Sequence, residues 1–229
     1  MKLLIKTFVL FSFIIPTRLW SLEVLDLKTK NGISLWFVED NSVPIISLSM
    51  SFKGGSYFDK IGKEGTSSFV AALLDEGSEN MNAREFQEKI KSLGMKLNIS
   101  TSKDELNITF QTVSSNKAES FDLLRRAITK PRFSSESIEK VRNQISASLR
   151  IEKSDIQQLS SKVFDQNFYV NHNFSKSKLG TIDSISNINR EDLLEYTKKY
   201  FTKSNMILGV SGNIDKEELL KLIDSTFFE

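Results

Sequence analysis

Metal centres and catalytic triads draw on a small set of side chains, and this sequence is short of most of them. It contains one histidine, His172, and no cysteine in 229 residues. A catalytic zinc ion takes two or three His or Cys ligands plus a water, so a zinc site here would have to be assembled from His172 and carboxylates. A Ser-His-Asp triad would need the same histidine carried to Ser67 or Ser68 by folding, with no local signature to announce it. The remaining acid–base candidates are the adjacent Asp75 and Glu76, at the end of the bland apolar stretch "GTSSFVAALLDEGS". Neighbours on a helix point in different directions, so this pair reads as a solvated helix terminus.

Composition bounds the rest. With 39% hydrophobic and 26% charged residues, the chain suits one globular domain large enough to bury a core. Its start, "MKLLIKTFVLFSFIIPTRLWSLEV", has Lys2 and Lys6, an apolar run over 7–15 and the small Ser21. That is the layout of a secretory signal over 1–21, leaving 22–229 as a single periplasmic or secreted domain. The run is short of the ~20 residues that span a bilayer, and a membrane is a partner only if the segment stays uncleaved. Cleavage after Ser21 would remove Lys2, Lys6 and Arg18 and no acid, taking the formal charge from +2 to −1. A near-neutral chain without a basic run has no electrostatic reason to bind nucleic acid. Without disulfides, the core must hold by packing alone.

The elements that would position any site follow from periodicity. Two strands are expected in "EVLDLKTKNGISLWFVED", joined by a two-residue turn at Asn31-Gly32. A third follows over 44–52, with Ile46, Leu48 and Met50 alternating. A helix starts near Gly65; a second has Asn82 as its N-cap and Gly94 at its end, with Phe86, Ile90 and Leu93 on one face. The strands "MKLNIS" and "ELNITFQTV" come next, then a helix over 118–128. A longer helical region covers 135–168 with a break near Ser154-Asp155. A loop leads to a helix over 190–201, the strand "MILGVSG", and a last helix over 216–227 capped by Asp215. The aromatics Phe121, Phe164, Phe168, Tyr196, Tyr200 and Phe201 fall at helical spacing and read as core. The fold class is α+β: a mostly antiparallel sheet with helices packed on one face.

Taken in order, "EGTSSFVAALLDEGS", "FQEKIKSLGMKLNISTSKDELNITF", "PRFSSESIEKVRNQISASLRIEK" and the run from "NHNFSKSKLGT" to "SNMILGVSGNID" resemble the N-terminal domain of the pitrilysin/insulinase metallopeptidases. The resemblance covers residues from Val24 to the end. It implies an inverted zinc motif, His-x-x-Glu-His, on the helix opening at Gly65. In that motif, i and i+4 imidazoles share one side of the helix and hold zinc, while the glutamate at i+3 polarises water. Here the motif positions hold Ser68, Ala71 and Ala72. The family's third ligand, a glutamate on the later long helix, aligns with Ser148, and a second acidic position there aligns with Val141. The resemblance also places His172 in a loop away from the zinc ligands.

What it implies about function is division of labour. Several members of the family work as paired halves closing like a clam shell, one half bearing zinc and the other contributing substrate contacts. The expected function is therefore a non-catalytic subunit that pairs with a zinc-bearing member of the family and helps bind peptide, with no cofactor of its own. In the resembling enzymes an extended peptide adds to an edge strand, here Asn98, Ile99, Ser100 and Thr101, an interaction that needs only main-chain hydrogen bonds. Two alternatives stand beside it: an active zinc peptidase with unconventional ligands, and an envelope scaffold module.

Overall fold

The computed structural model describes residues 23–227; residues 1–22, where the expected signal falls, and 228–229 lie outside the described residues. Six strands form one sheet in the order β1-β2-β6-β3-β5-β4. They are β1 (Leu25–Lys28), β2 (Ser34–Glu39), β3 (Ile45–Lys53), β4 (Lys96–Thr101), β5 (Glu105–Val113) and β6 (Met206–Gly212). Every pairing is antiparallel except β2 with β6. The parallel pair arises because the last strand inserts between β2 and β3, far from both in sequence.

Eight α-helices are described: α1 (Thr66–Leu73), α2 (Ala83–Ser92), α3 (Lys117–Thr129), α4 (Ser135–Glu152), α5 (Ile156–Phe168), α6 (Ile182–Ser186), α7 (Arg190–Tyr200) and α8 (Lys216–Thr226). The alternation in the strands decides which sheet face they cover. Ile46, Leu48, Met50 and Phe52 of β3 are buried, as are Leu106, Ile108, Phe110 and Thr112 of β5. The intervening Ser47, Ser49, Thr109 and Gln111 line the opposite face. One face therefore carries the helices and the other is open. The core contains eight wholly buried phenylalanines, Phe110 and Phe121 among them in an edge-to-face pair with centroids 5.0 Å apart. Each buried phenylalanine contributes about 2–3 kcal/mol, which is how the chain holds without disulfides.

Caps mark the helix starts. Asn82 and Glu85 form a reciprocal capping box on α2. Asp155 accepts from the amides of Gln157 and Gln158, ending α4 and starting α5 at the expected break. Asp215 caps α8 in the same way. A second capping box, Thr181 with Ser184, starts α6 inside the segment expected to be loop; the Thr-x-x-Ser spacing was visible, but serine is a weaker signal there than glutamate.

Two expectations need correction. The β1–β2 connection is not a two-residue turn at Asn31-Gly32. The Thr29 amide donates to the Ile33 carbonyl at 2.9 Å, Gly32 donates back to Thr29 at 3.0 Å, and of the two only Gly32 has positive φ, +85°. This is a type I turn with a glycine bulge, held from outside by the Asp224 carboxylate, which accepts from the amides of Lys30 and Asn31. A contact from α8, 194 residues away, overrides the dipeptide preference. The second correction concerns the aromatics. Phe121, Tyr196 and Phe201 are buried and Tyr200 packs against the core, but Phe164 and Phe168 are exposed. Their helix, α5, contains no buried residue at all. Helical periodicity establishes that an apolar face exists, not that the same chain covers it.

Among the described residues, no helix is long and apolar enough to cross a membrane.

Candidate functional site

The site is built around α1 and the sheet edge beside it. Asp59 sets the start of α1: its carboxylate accepts from the amide of Gly65 at 2.8 Å, the amide of Ser67 at 3.0 Å and the hydroxyl of Ser67 at 3.2 Å. These amides are among those that a helix N-terminus leaves unpaired. Asp59 is buried, and burial pushes its carboxyl up to about 7 against the pull of those three hydrogen bonds. Nothing in the local string "SYFDK" announces this capping role, because Asp59 reaches α1 across a turn of several residues.

Ser68 and Ala71 are buried, and Ala72, one turn on from Ser68, is exposed. The hydroxyl of Ser68 donates to the carbonyl of Lys178 at 2.8 Å, tying α1 to the segment before α6. The two alanines offer no donor atom, and the serine hydroxyl is engaged with backbone, so these residues do not fit a zinc ion. On α4 the inward stripe is Val141, Ile145 and Leu149, while Ser148 is exposed. Neither Ser148 nor its neighbour Leu149 carries a carboxylate. The helix instead meets α1 through Arg142, which stacks 5.5 Å from the Phe69 ring centroid and donates to the carbonyls of Ile185 and Ile188. Among the described residues, no group of three or more His, Cys, Asp or Glu side chains is arranged to hold a metal.

His172 lies in an aromatic cluster with Tyr57 and Phe174, at centroid distances of 5.2 and 4.9 Å. Its Nδ1 accepts from the amide of Phe174 at 3.2 Å. Ser67 and Ser68 have other partners, so no triad forms. Asp75 and Glu76 are not the solvated terminus that their adjacency suggested. Both are half-buried: Asp75 accepts from Gln87 Nε2 at 3.2 Å, and Glu76 pairs with Lys140 at 2.6 Å. Burial, with the adjacent Glu76 charge, raises the Asp75 carboxyl above its ordinary range. The pair fastens the end of α1 to α2 and α4.

The edge strand β4 lies next to α1. It pairs with β5 in register from Lys96 opposite Gln111 to Thr101 opposite Leu106, and among the described residues no strand lies on its other side. Leu97 and Ile99 pack toward the core, whereas Asn98 and Ser100 are exposed. Main-chain groups on the outer side are therefore available for another strand. Beside it the open sheet face forms a shallow groove of about 600 Å³, lined by Trp36, Ser47, Ser49, Asn98, Gly209 and Ser211. The alternating serines of "ISLSMSF" signalled this polar face in the sequence, but nothing local indicated a groove.

Residues 36–182 match the family described as Insulinase (Peptidase family M16), and residues 187–229 match the Peptidase M16 inactive domain. The chain is 25% identical over 189 residues to the Non-peptidase homolog YmxG of Helicobacter pylori, covering 82% of this chain and 44% of that protein. The crystal structure of a peptidase M16 inactive domain from Pseudomonas fluorescens superposes with a TM-score of 0.86 at 21% identity, covering 90% of this chain and 50% of that one. The periplasmic protease PqqL from Escherichia coli superposes at 0.78 and 18% identity, covering 90% of this chain and 24% of that one. The chain thus spans half or less of the length of these proteins.

Proposed function

We propose that this chain, which belongs to the insulinase (M16) peptidase family, is a non-catalytic subunit that holds extended peptide along β4 beside a zinc-bearing family member. One observation carries this reading: the zinc-motif positions on α1 present no ligand, while the adjacent edge strand keeps its outer main-chain groups open. Adding a peptide strand to such an edge uses backbone hydrogen bonds and requires no catalytic residue. The relative named a non-peptidase homolog supports loss of catalysis within this fold. A periplasmic or secreted location is supported by the signal-like start of the sequence and by the periplasmic protease of the same fold.

The test is metal content and peptide hydrolysis on one purified sample of 22–229, alone and mixed with a zinc-bearing relative. The expected result is no stoichiometric zinc, no cleavage alone, and faster cleavage by the mixture. Zinc bound with cleavage by this chain alone would overturn the reading, and an unchanged rate in the mixture would leave a scaffold module instead. Peptide capture has its own signature. A single N-methyl group on a bound peptide should lower affinity about fivefold at positions of one register and little at those of the other, since a lost main-chain hydrogen bond is worth ~1 kcal/mol.

A further inference from the structure

A groove of about 380 Å³ lies between α5 and the segment that precedes α6. Four lysines line it: Lys103 from the β4–β5 turn, Lys162 from α5, and Lys176 and Lys178 from the segment. Two of these charges are balanced within the fold. Lys103 pairs with Asp165, donates to the Phe174 carbonyl at 2.7 Å and lies over the Tyr169 ring. Lys176 pairs with Glu64 at 3.0 Å. Lys162 and Lys178 are exposed and, among the described residues, form no ion pair. The other carboxylate on the wall is Glu152, at the end of α4, so the groove carries more positive charge than its own acids balance. The backbone beneath Lys178 is fixed, because its carbonyl accepts from Ser68 Oγ at 2.8 Å. The groove thus begins at the segment bonded to α1 and ends at Lys103, two residues past the last residue of β4.

We propose that this groove takes the acidic side chains of a peptide held along β4, so that the chain selects extended segments with Asp or Glu at the end that runs past Thr101. The inference rests on peptide addition to β4 and adds a sequence preference to it. Charge complementarity selects the carboxylate: Lys162 and Lys178 present ammonium groups with no acid of their own. Position selects a peptide over a free anion. Two exposed lysines attract a dissolved anion only weakly, but a carboxylate on a strand already docked beside them arrives intramolecularly, at high effective concentration. A strand advances ~3.3 Å per residue, so an acid about two to four residues past the position beside Thr101 reaches the groove. Glu152 opposes that acid and keeps the preference moderate.

Fluorescence anisotropy of the purified full chain with three labelled strand-forming peptides tests this. One carries two glutamates at its N-terminal end, one carries them at its C-terminal end, and the third has glutamine at all four positions. The expected result at low salt is that one glutamate peptide binds about fivefold tighter than the glutamine peptide, an advantage that fades as salt screens it. Which end is preferred gives the direction of the strand. Lys162→Gln/Lys178→Gln should abolish the advantage and leave the glutamine peptide bound as by wild type, since both lysines are exposed. Glu152→Gln should enlarge it, a gain that misfolding does not produce. Equal binding of all three peptides would overturn the inference while leaving β4 addition intact, and binding of none would sink both. An advantage that survives in the double lysine variant would also overturn it. So would loss of the advantage to millimolar phosphate at constant ionic strength, which would assign the groove to a free anion.

Discussion

Gly180→Ala is expected to destabilise the folded chain by about 3 kcal/mol or more, one of the largest effects of any single methyl group in this protein. Gly180 has φ +76°, and a Cβ there would lie 2.0 Å from the Glu64 carbonyl oxygen and 2.7 Å from Ser184 Oγ. The first obstacle is backbone that cannot swing aside, because the same carbonyl accepts from Ser184 Oγ at 2.8 Å. The contact is reciprocal: a Cβ on Gly65 would come within 2.7 Å of the Leu179 carbonyl. Two chain segments thus touch main chain to main chain where α1 begins, and Ser68 adds its bond to Lys178 one turn further in. Forcing them apart would strain the α6 capping box and loosen the start of α1 together. Urea unfolding with an unchanged m-value and a lowered midpoint is the expected observation. A loss below about 1 kcal/mol would mean that the two segments yield easily.

Native stability is expected to fall as pH rises from about 4 to 7, by on the order of 2–4 kcal/mol from Asp59. Its ordinary value is 3.8 and the folded environment raises it to about 7, so the folded chain holds a proton that the unfolded chain releases. The contribution is complete below the unfolded value and is lost as pH rises through the folded one. The groups around it explain why ionisation is opposed: Glu64 adds a like charge, and Tyr196 is a buried neighbour. Lys60 and Lys63, which line the adjacent pocket, are engaged by Glu195 and Asp192. Asp75 acts in the same direction; Glu64 and Asp122, held below the usual range, act in the opposite one. Asp59→Asn should flatten the slope of urea stability between about pH 4 and 7. Parallel curves for wild type and variant would sink this assignment.

Much of the architecture was legible because it depends on local period and caps. The alternation at Ile46, Leu48 and Met50 placed β3, and Asn82, Asp155 and Asp215 began helices where side-chain chemistry demanded. What escaped was set by distant partners. Asp59 caps α1 across a turn, Asp224 reshapes the β1–β2 turn from the far end of the chain, and Asp75 and Glu76 are drawn in by Gln87 and Lys140. The loss of ligands at Ser68, Ala71 and Ala72 could be read residue by residue, since a missing donor atom is a local fact. Which side of α4 faces inward could not, and there Ser148 proves exposed while Leu149 is buried.

The position of β6 sets an order of events for folding. Because this strand lies between β2 and β3, the first hairpin cannot join the rest of the sheet until residues 206–212 have been made and threaded into place. Until then β2 and β3 both present raw edges, the kind that seed mispairing between chains. Closing a loop of about 170 residues for the parallel pair is entropically slow compared with hairpin formation. The chain is thus a late-closing fold, most exposed to aggregation just before completion, and a chain shortened before Met206 would leave that gap unfilled.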